Sequence, residues 1–270
     1  MMTNIATMRS FLFVPGDRPE RFDKGCASGA DCIILDLEDA VLPDAKPDAR
    51  QAIATWLESG GTACVRINPD KTPWHQGDVD LLAHPNVTAV VLPKADPDSI
   101  DRLSAALPRE LPILALIETA NGLLGAVQVA RAPLVERLLF GSFDFAVDTG
   151  IDGQGDELAY ARSALVVASA AADLGGAVDG VSLVLDDSEA LIADCRHAKR
   201  SGVAGKLCIH PKQVAAVNKG FSPDPAEVER ARAIIAAAQA SDRGAIQFEG
   251  KLIDKPVLDR AHRLVASVTL

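Results

Sequence analysis

A chain of 270 residues is too long for one small module and fits either two ordinary domains or one α/β barrel of about 250 residues. With 48% hydrophobic and 24% charged residues it has a globular composition that can bury a sizeable core, which excludes disorder as the dominant state. Lys and Arg number 27 against 37 Asp and Glu, for a net charge of −10. That balance argues against a general nucleic-acid binder, but leaves room for a local basic site that takes an anionic ligand.

The start, MMTNIATMRSFLFVPGD, lacks the charged region and long apolar stretch of a signal peptide. No run approaches the roughly 18–20 apolar residues of a membrane span. A cytoplasmic, membrane-free protein is the expectation. The five cysteines (Cys26, Cys32, Cys64, Cys195 and Cys208) form no CxxC, and three of them lie in apolar, strand-like runs. Reduced thiols serving as small core residues are expected.

Along the chain, short apolar runs alternate with longer helical patterns. The runs are Ser10–Val14, Cys32–Leu37, Ala63–Ile67, Ala89–Pro93, Pro112–Glu118, Arg137–Gly141, Ala177–Val181 and Gly205–Pro211. They are continuous and β-branched, as in strands buried on both faces. Between them, DAKPDARQAIATWLES and DPDSIDRLSAAL open with the Asp and Pro favoured at helix starts, and DELAYARSALVVASAAADLGG ends on Gly. DDSEALIADCRHAKRSG carries Glu in its first turn and Lys/Arg in its last, complementing the helix dipole. Eight strand–helix alternations predict an α/β TIM (β/α)8 barrel over residues 1–220. A doubly wound open sheet is the alternative, but no GxGxxG follows any strand. The tail, 221–270, reads as a helix, a loop or hairpin in DRGAIQFEGKLIDKP, and a last helix. It is expected to form a helical appendage and lid within the same domain.

Barrel chemistry sits where strands end, so the strands that end in polar groups mark the candidate site. The second ends with Asp36, Glu38 and Asp39, the third with Arg66, the fourth with Lys94, the fifth with Glu118, the sixth with Asp144 and Asp148, and the eighth with His210. Carboxylates converging in a partly dry cavity repel one another unless a cation sits among them. Glu118 and Asp144 end sequence-adjacent strands and form the best ligand pair; with no His or Cys beside them they suit a hard ion such as Mg²⁺. The alternative reading has these acids capping the following helices. Arg66 reads either as an internal ion pair with Glu38 or Asp39, or as a clamp for a substrate carboxylate. Lys94 receives no role, and His210 reads as a structural histidine. In FVPGDRPERFDKG, Arg18, Arg21 and Lys24 cluster near Phe13 and Phe22. That loop suits either a phosphate-bearing ligand with a stackable base or a solvated helix start. There is no P-loop, GxSxG or HExxH.

The motifs RSFLFVPGDRPERFDKG, DCIILDLEDAV, VRIN, VLPKAD, IETANGLLGA, FGSFDFAVDTGI, GKLCIHPKQ and GKLIDKP together resemble the citrate lyase beta-subunit-like group of the HpcH/HpaI aldolase family. They run in family order from about residue 9 to 256. The resemblance implies a TIM barrel assembled as a homotrimer or hexamer, with Mg²⁺, or alternatively Mn²⁺, on Glu118 and Asp144. It implies Arg66 on the keto-acid carboxylate, Glu38 and Asp39 as outer partners of metal-bound water, and Phe13, Arg18 and Lys24 on coenzyme A. Asp254 matches an aspartate that reaches the neighbouring subunit's site. The implied activity is C–C cleavage or formation of a citryl-CoA or malyl-CoA type thioester, with acetyl-CoA or propionyl-CoA and a 2-oxo acid (oxaloacetate or glyoxylate) as partners. Two alternatives are a malyl-CoA-type thioesterase and a subunit active only within a citrate lyase complex. The chain is shorter than the family's larger members and compact at Gly150–Glu157, which bears on acyl choice.

Overall fold

In a computed structural model, which describes residues 4–240 and 245–267, the apolar runs become eight strands. They are β1 Ser10–Pro15, β2 Cys32–Asp36, β3 Ala63–Arg66, β4 Val87–Leu92, β5 Ile113–Ile117, β6 Val135–Phe140, β7 Val178–Asp179 and β8 Gly205–Cys208. Each pairs in parallel with its sequence neighbours, and β8 returns to β1 through Ser10↔Lys206, Phe11↔Leu207 and Leu12↔Cys208. The sheet is therefore a closed barrel and not the open doubly wound alternative. Residues 1–3, 241–244 and 268–270, which fall in the stretches read as chain start, tail loop and chain end, lie outside the described residues.

Alternation explains the continuous apolar runs. Phe11, Ile34, Cys64, Val91, Leu114, Leu139, Val178 and Leu207 pack together as one buried cluster inside the barrel. Their neighbours in sequence, such as Leu12, Leu35, Val65, Val90 and Leu138, face the surrounding helices. Both strand faces are dry, so neither face needs polar residues.

The helices follow their caps. Asp96 and Ser99 form a reciprocal capping box at the start of Pro97–Ala106, and Asp187 accepts from the Ala190 N–H at the start of Ser188–Arg200. Three boundaries differ from expectation: Pro43–Ala45 and Asp156–Leu158 form 3-10 turns before the helices Lys46–Glu58 and Ala159–Ala171 begin, and the second of these helices ends at Ala171, short of its expected Gly. All five cysteines are free, and Cys26 alone among them is exposed. Among the described residues no helix is long and apolar enough to cross a membrane.

The chain divides into two compact units, the second beginning at Ser222. That unit holds the capped helix Pro225–Gln239, the hairpin β9 Ile246–Phe248 and β10 Lys251–Ile253, and the helix Lys255–Ala266. Glu249 (φ 48°) and Gly250 (φ 74°) make the hairpin turn, whose two left-handed residues match the twist of the strands. Ala231, Ile234, Ile253 and Ala261 form its small core.

Candidate active site

Asp36 and Arg66 end adjacent strands and are register partners. The Asp36 carboxylate, 1% exposed, accepts both arms of the guanidinium fork: Nε donates to Oδ1 at 2.7 Å and Nη2 to Oδ2 at 2.6 Å. It also accepts the backbone N–H groups of Glu38 (2.8 Å) and Ala40 (3.2 Å). The third guanidinium nitrogen, Nη1, lies 2.8 Å from Glu38 and 3.7 Å from Asp39. The Phe13 ring lies 4.7 Å from the guanidinium carbon, so Arg66 is held both in its plane and from one face. Burial alone would lower its affinity for a proton, but Asp36, Glu38 and Asp39 more than reverse that, and Arg66 is a permanent cation.

On the next strands, Glu118 follows β5 and is 1% exposed. Its Oε1 accepts the Lys94 backbone N–H at 2.7 Å. Its Oε2 lies beside Gly141, where a side-chain Cβ would come within 2.5 Å of that oxygen and 2.4 Å of the Glu118 Cβ. Glycine at 141 is what gives the carboxylate its room. Asp144 stands in the first turn of the helix Ser142–Thr149 and has no ion pair among the described residues. Burial, together with the charges of Glu38 and Asp144, pushes the Glu118 carboxyl up to about 8 against the pull of Lys94. A cavity of about 360 Å³ joins these groups, lined by Asp36, Asp39, Arg66, Glu118 and Asp144 on its polar side. Its apolar side is formed by Phe13, Leu116, Phe140, Val181, Leu207 and Ile209. Among the described residues no group of three or more His, Cys, Asp or Glu is arranged to hold a metal ion by itself. The residues present nevertheless fit a divalent cation. They supply two hard oxygen donors, a carboxylate destabilised by like charges, and open space for further ligands.

The sequence profile described as HpcH/HpaI aldolase/citrate lyase matches residues 9–211, three-quarters of the chain and nearly all of the barrel. The chain belongs to this family. Among its relatives, a (3S)-malyl-CoA thioesterase of Cereibacter sphaeroides is 35% identical over 96% of this chain and 93% of its own length. A citrate lyase subunit beta-like protein of Deinococcus radiodurans is 36% identical, over 97% of each chain. Among solved structures, CitE from Mycobacterium tuberculosis, in complex with magnesium, acetoacetate and coenzyme A, superposes with a TM-score of 0.86 at 33% identity. That match covers 98% of this chain and all of CitE.

Several expectations shift in this HpcH/HpaI family member. The internal partner of Arg66 is chiefly Asp36, with Glu38 second; Asp39, at 3.7 Å, is a distant third. Lys94, given no role from the sequence, binds the site twice. Its main chain reaches Glu118, and its Nζ donates to Glu38 Oε1 at 2.9 Å. Lys46 also escapes sequence reading: its buried Nζ donates to the Leu37 and Glu38 carbonyls, both at 2.7 Å, and fixes the turn that carries Glu38. Phe22 is fully buried, edge-on to Trp56, and so cannot stack on a ligand base; the face of Phe13 is taken by Arg66. Arg18 and Lys24 are exposed and do not line the cavity. Asp148 lies within the helix Ser142–Thr149 and accepts the Ala120 N–H at the start of the earlier helix Ala120–Leu124, so it does not cap a helix that follows it. His210 accepts the Lys212 N–H at Nδ1, a structural role. Asp254 is the N-cap of Lys255–Ala266, accepting from Val257 N–H.

Proposed function

We propose that the chain catalyses the Mg²⁺-dependent, reversible cleavage of a 3-hydroxyacyl-CoA of citryl-CoA or malyl-CoA type. The products would be acetyl-CoA or propionyl-CoA and a 2-oxo acid, oxaloacetate or glyoxylate. The observation that carries this reading is one cavity lined both by two carboxylates, Glu118 and Asp144, and by a preorganised arginine, Arg66. The magnesium-, acetoacetate- and coenzyme A-bound CitE supports it by likeness.

Glu118 and Asp144 would hold the cation, which supplies Lewis-acid polarisation of the oxygen that becomes the keto-acid carbonyl. Arg66, locked by Asp36, would take the far carboxylate with its remaining N–H donors and fix the reacting geometry. Glu38 and Asp39 would accept hydrogen bonds from water around the cation. As the C–C bond breaks, its electron pair would move to the thioester α-carbon while the hydroxyl proton passes to a water held by Glu38 and Asp39. The resulting enolate needs a proton, and Asp254 of a neighbouring subunit in a homotrimer or hexamer is the assigned donor. Arg18 and Lys24 are proposed coenzyme A contacts, whereas Phe13, whose face Arg66 occupies, would position that arginine.

A second reading, thioester hydrolysis, draws support from the (3S)-malyl-CoA thioesterase at 35% identity. One experiment separates them: purified protein with Mg²⁺, acetyl-CoA or propionyl-CoA, and glyoxylate or oxaloacetate, followed by mass spectrometry. A metal-dependent condensed acyl-CoA is expected for the lyase. Free coenzyme A without a condensed product would replace the lyase with the hydrolase. No reaction with any pair would count against both, in favour of a subunit that depends on a complex.

A further inference from the structure

Lys94 is one of four non-glycine residues with positive φ among the described residues, at φ 50°, where an L side chain crowds its own backbone. Its neighbour Ala95 donates to the Leu116 carbonyl at 3.0 Å, which pins the chain across to β5 just before Glu118. In this conformation the Lys94 N–H meets Glu118 Oε1 at 2.7 Å, leaving Oε2 as the oxygen beside Gly141 and the cavity. The side chain then turns back over the same acids. Nζ lies 2.9 Å from Glu38 Oε1 and 3.9 Å from Glu118 Oε1.

We infer that Lys94 is a positioning residue of the cation site whose main chain and side chain act in opposite directions. The left-handed main chain orients Glu118 for a cation. The ammonium supplies positive charge to Glu38 and Glu118 and so opposes the arrival of a second positive charge. The net effect is a site held in shape while empty and of restrained affinity, in which a cation can exchange. This rests on the proposed reading of Glu118 and Asp144 as the cation site.

The two actions come apart by substitution. Lys94→Gly accepts positive φ freely and keeps the N–H while removing the ammonium. Lys94→Val removes the ammonium and resists positive φ as well. Mg²⁺ titrated calorimetrically into the full-length protein, with no substrate present, should bind Lys94→Gly about tenfold more tightly than wild type, from the loss of one nearby positive charge. Lys94→Val should bind about tenfold more weakly, because strain at the turn takes the N–H off Glu118. Lys94→Asn, which tolerates the left-handed region without a charge, should follow Lys94→Gly and covers the case of a misfolded valine variant. As a second readout, metal-free Lys94→Gly should melt below wild type and gain more from added Mg²⁺.

Affinity that moves the same way in the glycine, asparagine and valine variants, or stays unchanged in all three, overturns the inference while leaving the cation site standing. Wild type that binds no Mg²⁺, or binds it as well after Glu118→Gln, overturns the site reading itself and this inference with it.

Discussion

Arg66 reaches the cavity already bound on two sides by acids and on one face by Phe13, so what it offers a substrate is a direction more than a charge. A lysine in its place would keep the charge but not the fork that grips Asp36. The expected result for Arg66→Lys is a KM raised about tenfold or more, with calorimetric Mg²⁺ affinity close to wild type. Equal loss of both would mean Arg66 shapes the cation site as well. Glu118 makes a complementary prediction. Its folded carboxyl titrates near 8, well above the unfolded value, so the native state holds its proton more tightly than the unfolded chain does. That contribution is fully present below the unfolded value of about 4.3 and is lost as pH rises toward the folded value. Metal-free wild type should therefore lose melting temperature between about pH 5 and 8. Glu118→Gln should flatten that slope, melt higher than wild type near pH 8, and show no Mg²⁺-induced rise. A lower Tm for Glu118→Gln across the range would show that the charge is compensated already. The acids at the strand ends were legible in the sequence because barrel topology says where to look. The grip of Lys94 was not, since nothing in LPKAD marks a lysine for a left-handed turn, and a loop lysine reads as solvated.

Among the elements, β7 is the exception: two residues long, meeting β6 at one register position and β8 at two. Ion pairs reinforce this short seam. Asp179, 2% exposed, accepts from Lys206 of β8 and from Arg162 of the helix Ala159–Ala171, both at 2.8 Å; Lys206 also reaches Asp194 at 3.0 Å. Burial would raise the Asp179 carboxyl, but Lys206 and Arg162 outweigh it and hold it below its ordinary value. For Lys206, burial is likewise overcome by Asp179 and Asp194, and its affinity for a proton rises. The cluster therefore contributes fully above an unfolded aspartate's value near 4 and below an unfolded lysine's near 10; it is lost beyond the shifted values at either end. Asp179→Asn, which strands Lys206 in a buried site, should cost about 3 kcal/mol in denaturant melts at neutral pH. A loss under about 1 kcal/mol would show that water or Asp194 already satisfies the lysine. The apolar run Ala177–Val181 located this strand but overstated its length, because a polar Asp179 on the helix side ends the pattern of a strand dry on both faces. By contrast Asp96 and Asp187 marked their helices to within a residue, since a cap is a local hydrogen bond that needs no tertiary partner.

At the scale of the whole molecule, the proposed donation of Asp254 across subunits has a test that needs no structure of the assembly. Asp254→Asn and Glu118→Gln should each be inactive alone. Mixed after dissociation and reassembly, they should recover part of the activity, because some sites then combine an intact Glu118 with an intact Asp254. No recovery in mixtures whose mass confirms hybrid oligomers would place Asp254 in its own chain's site or outside the chemistry. The barrel was readable from eight apolar runs because a closed parallel sheet demands them. The tail was readable only as separate helices and a hairpin, since its small core of Ala231, Ile234, Ile253 and Ala261 leaves a weak pattern. Around the barrel itself, charge is confined to one sector. Asp36, Arg66, Lys94, Glu118 and Asp144 come from the ends of five consecutive strands, β2 to β6, which also give the cavity Leu116 and Phe140, whereas β1, β8 and the segment after β7 give it the uncharged Phe13, Leu207, Ile209 and Val181. One arc holds all of this charge and the other none of it, so a lineage could reshape the uncharged arc residue by residue while the other kept its chemistry unaltered.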